Sequence, residues 1–224
     1  MIFADRSDAG RQLAAALCDL ADSPQTIVLG IPRGGVAVAA EIARALRLPL
    51  DVFLARKLGV PGHEELAFGA VAANGSRYLD QQIVRLTGLT EPEIDQIAAA
   101  TLKLLEQRAA IYRAGRAPLQ VAGRSAILVD DGIATGASFY AAIYALRQLK
   151  PTRITAAIPV APPSTAGWLR AQVDRFVCLD TPYHFQAVGQ FYRMFPQLSD
   201  EDVIGLLVAS RTAASSEHSV NTSS

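Results

Sequence analysis

Cysteine is scarce. Cys18 and Cys178 are the only two in 224 residues, and they lie too far apart to form a metal-ligand or redox spacing. That excludes a disulfide scaffold and a zinc module, and makes reduced, buried thiols in a cytoplasmic protein the plain reading. An excess of charge is missing as well. The 21 basic and 21 acidic residues cancel, which removes the global electrostatic case for nucleic acid or an anionic membrane as partner. No stretch approaches the roughly 20 apolar residues of a membrane span. Met1–Arg6 has no basic region leading into an apolar run, so no signal peptide is expected. What remains is enough chain for one large domain that folds on its own core without a covalent staple. Residues 1–211 read as that domain with 59–123 as an insertion, and 212–224, rich in Ser, Ala and Asn, as a disordered tail.

What is present is organised around one stretch, from Ser125 to Ser138. Ile127–Val129 is a short apolar run that reads as a buried strand. Asp130 and Asp131 follow at once, and Thr135-Gly136-Ala137-Ser138 leads into Phe139–Leu149, which reads as a helix. Strand, acidic pair, small-residue loop and helix form the layout of a ligand site at the carboxyl end of an α/β sheet. Unpaired N–H groups at a helix start, with the helix dipole behind them, bind anions. Thr135 to Ser138 supply those groups and two hydroxyls, while Asp130 and Asp131 accept from hydroxyls or hold a hard cation. A ribose 5-phosphate satisfies both halves.

Upstream, Asp5–Ala21 reads as an amphipathic helix and Thr26–Leu29 as a strand running into Gly30-Ile31-Pro32-Arg33-Gly34-Gly35. A small-residue helix, Val36–Leu46, follows. Gly34 and Gly35 permit close backbone approach, with the fixed charge of Arg33 beside them. Leu50–Leu54 reads as the next strand, ending in Ala55-Arg56-Lys57-Leu58-Gly59. The strand–helix alternation then lapses. Pro61–Glu65 reads as loop, Asn74-Gly75 marks a hairpin between Leu66–Ala73 and Ser76–Leu79, and a capping box of Thr90 and Glu93 opens a long helix to Ala114. After the acidic motif, Arg153–Val160 is a strand, Ser164 the expected cap of a helix Thr165–Gln172, and Arg175–Leu179 the last core strand. The fold class is therefore α/β: a mainly parallel, Rossmann-like sheet flanked by helices, with a hairpin-plus-helix insertion. Asp180–Phe195 is aromatic-rich, and reads either as a stacking surface for a heterocycle or as a satellite cluster pinning a C-terminal helix Asp200–Ser210.

Ile127–Ser138 resembles the phosphoribosyl-pyrophosphate (PRPP) motif of type I phosphoribosyltransferases. Arg33-Gly34-Gly35 is similar to the family's pyrophosphate loop, and Asp180–Phe195 loosely resembles its base-binding segment. Across the chain the resemblance is greatest to bacterial predicted phosphoribosyltransferases that share Gly30–Gly35 and Arg56-Lys57-Leu58-Gly59. The resemblance implies Mg2+-dependent phosphoribosyl transfer from PRPP to a nitrogen acceptor, a nucleobase by family habit, with release of pyrophosphate. It assigns the ribose hydroxyls to Asp130 and Asp131, and the 5-phosphate to Thr135, Gly136, Ala137 and Ser138. Pyrophosphate goes to Arg33, Gly34, Gly35, Arg56 and Lys57, with Lys57 preferred because neighbouring strand residues face opposite ways. Tyr183, His184 and Phe185 become the base contacts. Mg2+ is held mainly through PRPP, with Asp130 or Asp131 as the protein ligand, and a strained peptide bond is expected in the pyrophosphate loop.

The chain departs from the family pattern in three places. Ala134 stands where hypoxanthine-guanine members carry an Asp proposed as general base, as it does in adenine-type members. The strand Ile154–Val160 lacks the Lys that reads a 6-oxo group, and Gln190 replaces an acid; together these point away from a 6-oxopurine. His63, beside Glu64 and Glu65, and His184 are the remaining general-base candidates, although 63–65 reads first as exposed polar loop. The insertion corresponds to the family's flexible loop, as lid, dimer contact or both, which leaves a homodimer open. Two other readings stand beside the transferase: a PRPP- or nucleotide-sensing regulator on the same fold, and a phosphohydrolase using Asp130.

Overall fold

Five short apolar runs account for the centre of the molecule. In the computed structural model, which describes the backbone of residues 1–220 and the side chains of residues 1–210, they form one parallel sheet. The strands are β1 (Thr26–Gly30), β2 (Leu50–Val52), β6 (Ser125–Val129), β7 (Arg153–Val160) and β8 (Arg175–Asp180), in the order β2-β1-β6-β7-β8. β1 and β6 are buried almost end to end, as strands covered on both faces must be. The two-residue period of a strand sorts their side chains. Val28, Ile127 and Val129 face α1 (Arg6–Ala16), α2 (Gly34–Leu46) and α7 (Asp200–Val220), in a core with Leu13, Ile42 and Val203. Ile27, Leu29, Ala126 and Leu128 face α5 (Ala137–Arg147) and α6 (Pro163–Gln172), against Phe139, Ile143 and Leu169.

The strand order has one functional consequence. The chain leaves β1 toward one edge, through α2 to β2, and returns on the other side as β6, so the order reverses between β1 and β6. Gly30 is paired in register with Val129 at the carboxyl ends of these strands. The loops that follow them therefore start side by side, at the switch point where open α/β sheets bind ligands.

The interval after β2 departs from the expected strand Leu50–Leu54. β2 ends at Val52, and the chain restarts as β3 (Ala55–Val60) in a separate antiparallel sheet with β4 (His63–Ala72) and β5 (Arg77–Leu79). Arg56 and Lys57 therefore lie within a strand of the second sheet, paired with Val71 and Ala70, and not in a loop at a core strand end. Only Pro61 and Gly62 make the turn, and His63–Glu65, expected as loop, begin β4. Alternation misleads here because the first half of β4 is exposed on both faces and carries consecutive polar residues. The Asn74-Gly75 hairpin joins β4 to β5 as expected. An unforeseen helix α3 (Gln81–Thr87), capped by Asp80, precedes α4 (Glu91–Arg113), which opens on the expected capping box of Thr90 and Glu93. The buried Asp51 accepts hydrogen bonds from Arg113 Nε at 3.1 and 3.2 Å and from the Leu119 N–H at 2.9 Å. That pair fastens the end of α4 to β2.

Other expectations are corrected locally. Pro162, not Ser164, is the N-cap of α6, with Pro163 in the first turn, where a missing N–H costs nothing. Both cysteines are free, but Cys18 is exposed and only Cys178 is largely covered, its thiol pushed up to about 11 by burial. The tail expected over 212–224 falls on residues whose side chains lie outside the described ones, and 221–224 lie outside altogether. Among the described residues no helix is long and apolar enough to cross a membrane.

Candidate active site

The acidic loop is held from below by the sheet and from the side by α6. The Asp131 N–H donates to Asp130 Oδ1 at 2.9 Å, closing the turn after β6. The Ile133 N–H donates to the Val160 carbonyl at 3.0 Å, and the Thr165 hydroxyl to the Ala134 carbonyl at 2.9 Å. Gly136, the N-cap of α5, has φ +81°, a conformation that a side chain would strain. Asp130 and the stretch Gly132–Phe139 enclose a cavity of about 160 Å3. Thr135, Ala137 and Ser138 remain exposed around it. This cup lies at the start of α5, where the first N–H groups of a helix have no intrahelical partner and can serve an anion.

The glycine pair after β1 packs against the acids. A Cβ on Gly34 would sit 1.8 Å from Asp131 Oδ2, and one on Gly35 would sit 2.6 Å from the Val129 carbonyl and 2.8 Å from Asp130 Cα. Only hydrogen at these positions lets the start of α2 approach the acidic pair, so the two loops are built as one unit. The peptide bond between Pro32 and Arg33, in the loop where the resemblance places a strained one, is cis.

Three side chains that sequence reasoning did not single out complete this unit. Arg6 Nε donates to Asp131 Oδ2 at 2.7 Å, Arg6 Nη1 donates to the Pro196 carbonyl at 2.8 Å, and the guanidinium lies 3.8 Å over the Phe195 ring. The Tyr192 hydroxyl donates to the Asp131 carbonyl at 2.5 Å, and its own burial raises its pKa well above the phenolic value. Val188 covers Gly132, where a Cβ would meet Val188 Cγ1 at 2.4 Å. No local pattern marks these contacts, because each joins segments distant in the chain. Among the described residues Asp130 forms no ion pair, whereas Asp131 has Arg6. Desolvation, with the neighbouring Asp131 charge second, raises its carboxyl well above the ordinary aspartate value.

The cations divide. Arg56 lines a cleft of about 320 Å3 together with Ile31, Pro32, Leu54, Arg108 and Ser138, so it faces both the cis loop and the start of α5. Lys57, on the opposite face of β3, pairs with Glu65 at 2.9 Å. Arg33 lies 4.0 Å from Asp200 Oδ1, beside Arg108.

The aromatic stretch folds mostly onto the molecule itself. Phe185 packs at 5.1 Å on Phe191, in a cluster with Phe3, Val160 and Tyr192. Tyr183 is 90 % exposed, and His184 is exposed with its carbonyl accepting from Gln190 Nε2. His63 is exposed on β4, lining an open pocket with Glu64, Glu65 and Leu66. Among the described residues no group of three or more His, Cys, Asp or Glu is placed to hold a metal. The Asp130–Asp131 pair fits Mg2+, which takes one or two carboxylates and fills its remaining positions with ligand oxygens and water.

Comparison with known proteins agrees with this geometry. A family model described as "Phosphoribosyl transferase domain" matches residues 4–193. A Mycobacterium tuberculosis protein named "Putative phosphoribosyl transferase" is 45 % identical over 206 residues, 92 % of this chain and 46 % of that protein. The chain thus spans about half the length of the curated relatives it matches. The crystal structure of TT1426 from Thermus thermophilus is 42 % identical, with a TM-score of 0.86 over 93 % of this chain and 99 % of that one. The chain belongs to the phosphoribosyl transferase domain family.

Proposed function

We propose that the protein transfers the phosphoribosyl group of PRPP to a nitrogen nucleophile, a nucleobase by family resemblance, in a Mg2+-dependent reaction. The observation that carries the reading is the contact between the two loops at the switch point: Gly34 and Gly35 lie against Asp131 and Asp130, one turn from the phosphate cup at α5. A ligand with phosphate at one end, a diol in the middle and pyrophosphate at the other matches cup, acids and cleft in that order.

Each group has a chemical task. The α5 N–H groups, with the Thr135 and Ser138 hydroxyls, hold the 5-phosphate and fix the sugar so that only C1 moves. Asp130 and Asp131 accept from the ribose hydroxyls. As the bond from C1 to the pyrophosphate oxygen breaks, C1 becomes cationic, and the carboxylates favour that charge. The electron pair leaves with pyrophosphate, the acceptor nitrogen forms the new bond to C1, and its proton passes to solvent or to a base. Arg56 and the Arg33–Gly35 loop bind the departing pyrophosphate. Mg2+, when bound by Asp130 or Asp131 together with ligand oxygens, supplies neutralisation of its charge. Residues 1–211 act as one domain, with 59–123 inserted over the pyrophosphate side.

The test is pyrophosphate release from PRPP and Mg2+ across a panel of nucleobases and small amines, with Asp130→Asn/Asp131→Asn as control. Release with one acceptor, lost by at least about 100-fold in the folded double variant, is expected; removal of a single electrostatic stabiliser already costs that much. Full activity in the double variant would remove the acidic pair from the mechanism. The exposed Ala134, where a general base stands in some relatives, supports a second reading as a PRPP sensor. Tight PRPP binding without release for any acceptor is its signature.

A further inference from the structure

The geometry points to Arg108, on the long helix α4 of the insertion, as a pyrophosphate-binding residue. This inference rests on the PRPP reading above. Arg108 lines the same cleft as Arg56, Pro32 and Ser138, but from the opposite element: Arg56 comes from β3 and Arg108 from α4. The floor between them is the cis loop after β1, and Ser138 marks the edge of the phosphate cup. Two guanidinium groups therefore flank the space on the pyrophosphate side of the ribose acids.

The present partners of Arg108 show why it is available. Its Nε donates to the Tyr112 hydroxyl at 3.2 Å, and that hydroxyl donates to Asp200 Oδ1 at 2.7 Å. Arg108 Nη2 stands 3.7 Å from the same Asp200 oxygen and Arg33 Nη1 stands 4.0 Å from it, beyond hydrogen-bond distance in both cases. One carboxylate at the start of α7 is thus shared loosely between two arginines. Tyr112 holds Nε, and the Nη fork is tied only by its loose 3.7 Å pairing with Asp200, so the fork can turn toward a multiply charged anion. With Arg108 half-exposed, little desolvation opposes that turn. A forked, bidentate donor suits pyrophosphate oxygens better than a point charge does. The insertion then does chemically what its position suggests: α4 carries a cation to the leaving group as a preformed wall of the site.

The experiment is calorimetric binding of PRPP, of inorganic pyrophosphate with Mg2+, and of ribose 5-phosphate, to the wild-type chain, Arg108→Ala and Arg108→Lys. A charge-assisted hydrogen bond lost on truncation corresponds to about 10- to 100-fold in affinity. Arg108→Ala is expected to lose that much for PRPP and pyrophosphate and to keep ribose 5-phosphate within about twofold. Arg108→Lys should recover part of the loss, because charge is restored without the fork. The inference is overturned if Arg108→Ala binds PRPP as the wild type does, or if it loses ribose 5-phosphate equally, which would mark a general disturbance. A wild-type chain that binds neither PRPP nor ribose 5-phosphate would instead overturn the PRPP reading, and this inference with it. Melting curves of both variants accompany the titrations, and unchanged transitions are expected for so exposed a side chain.

Discussion

Arg6 is the most informative residue to remove, because it joins the first helix to the acidic motif 125 residues away. Arg6→Met keeps most of the stem and deletes the guanidinium. Asp131 Oδ2 then loses a donor at 2.7 Å, the Pro196 carbonyl loses one at 2.8 Å, and the Phe195 ring loses a cation stacked at 3.8 Å. Removing one partner of a fully buried ion pair costs about 3–5 kcal/mol. The side chains of Arg6 and Asp131 are 11 % and 15 % exposed, which places this pair near the lower end. About 3 kcal/mol corresponds to a fall of roughly 6–12 °C in Tm for a chain of this size. Thermal and urea unfolding of Arg6→Met, Asp131→Ala and the double variant should give a coupling of about 1.5–3 kcal/mol, that of a hydrogen bond to a charged group. On the proposed function PRPP binding should weaken alongside, since Asp131 would no longer be held. A coupling below about 0.5 kcal/mol would contradict this account, because two residues in contact would then behave as independent sites.

Other perturbations probe other parts of the site and its supports. Asp130 has a raised carboxyl pKa, so folding takes up a proton between the unfolded value near 4 and the higher folded one, and wild-type stability falls as pH rises through that window. Melts from about pH 4 to pH 8 should therefore show Asp130→Asn gaining on the wild type as pH rises while losing transfer; a gap that widens toward acid would contradict the burial of this group. Gly34→Ala brings a Cβ to 1.8 Å from Asp131 Oδ2. Overpacking of that kind costs about 1–3 kcal/mol, and PRPP titration should show weakened binding together with a lower Tm. Arg113→Met leaves the buried Asp51 carboxylate with backbone N–H donors alone, and chemical denaturation should report a loss of about 3–5 kcal/mol.

Much of the fold could be read from the chain because it rests on local signals. The apolar run Ile127–Val129, the capping box at Thr90 and Glu93, and the Asn74-Gly75 turn each set their element within a few residues, and each appears where the pattern placed it. The second sheet was less legible. Where β4 begins, the backbone pairs while exposed charged residues such as Glu64 and Glu65 interrupt the alternation, so 63–65 read as loop although Leu66–Ala73 reads as a hairpin arm. Arg56 against Lys57 turned on the same difficulty. Opposite faces are certain for neighbouring strand residues, but which face meets the cleft depends on how the hairpin docks, and it is Arg56 that lines it.

The order of residues alone sets the chemistry on offer: two adjacent carboxylates, a small-residue turn into a helix and a glycine pair beside an arginine, each after an apolar strand. Those features are local, and short-range geometry suffices to place a strand end next to a helix start. Which of them meet is a matter of tertiary structure. The reversal of strand order between β1 and β6 sets the glycine pair on the acids. Arg6 arrives from the first helix, Tyr192 from the stretch after β8, and Arg108 from the insertion. Burial and charge pairing depend on contacts far apart in the chain, so no reading of neighbours along it could have assembled them.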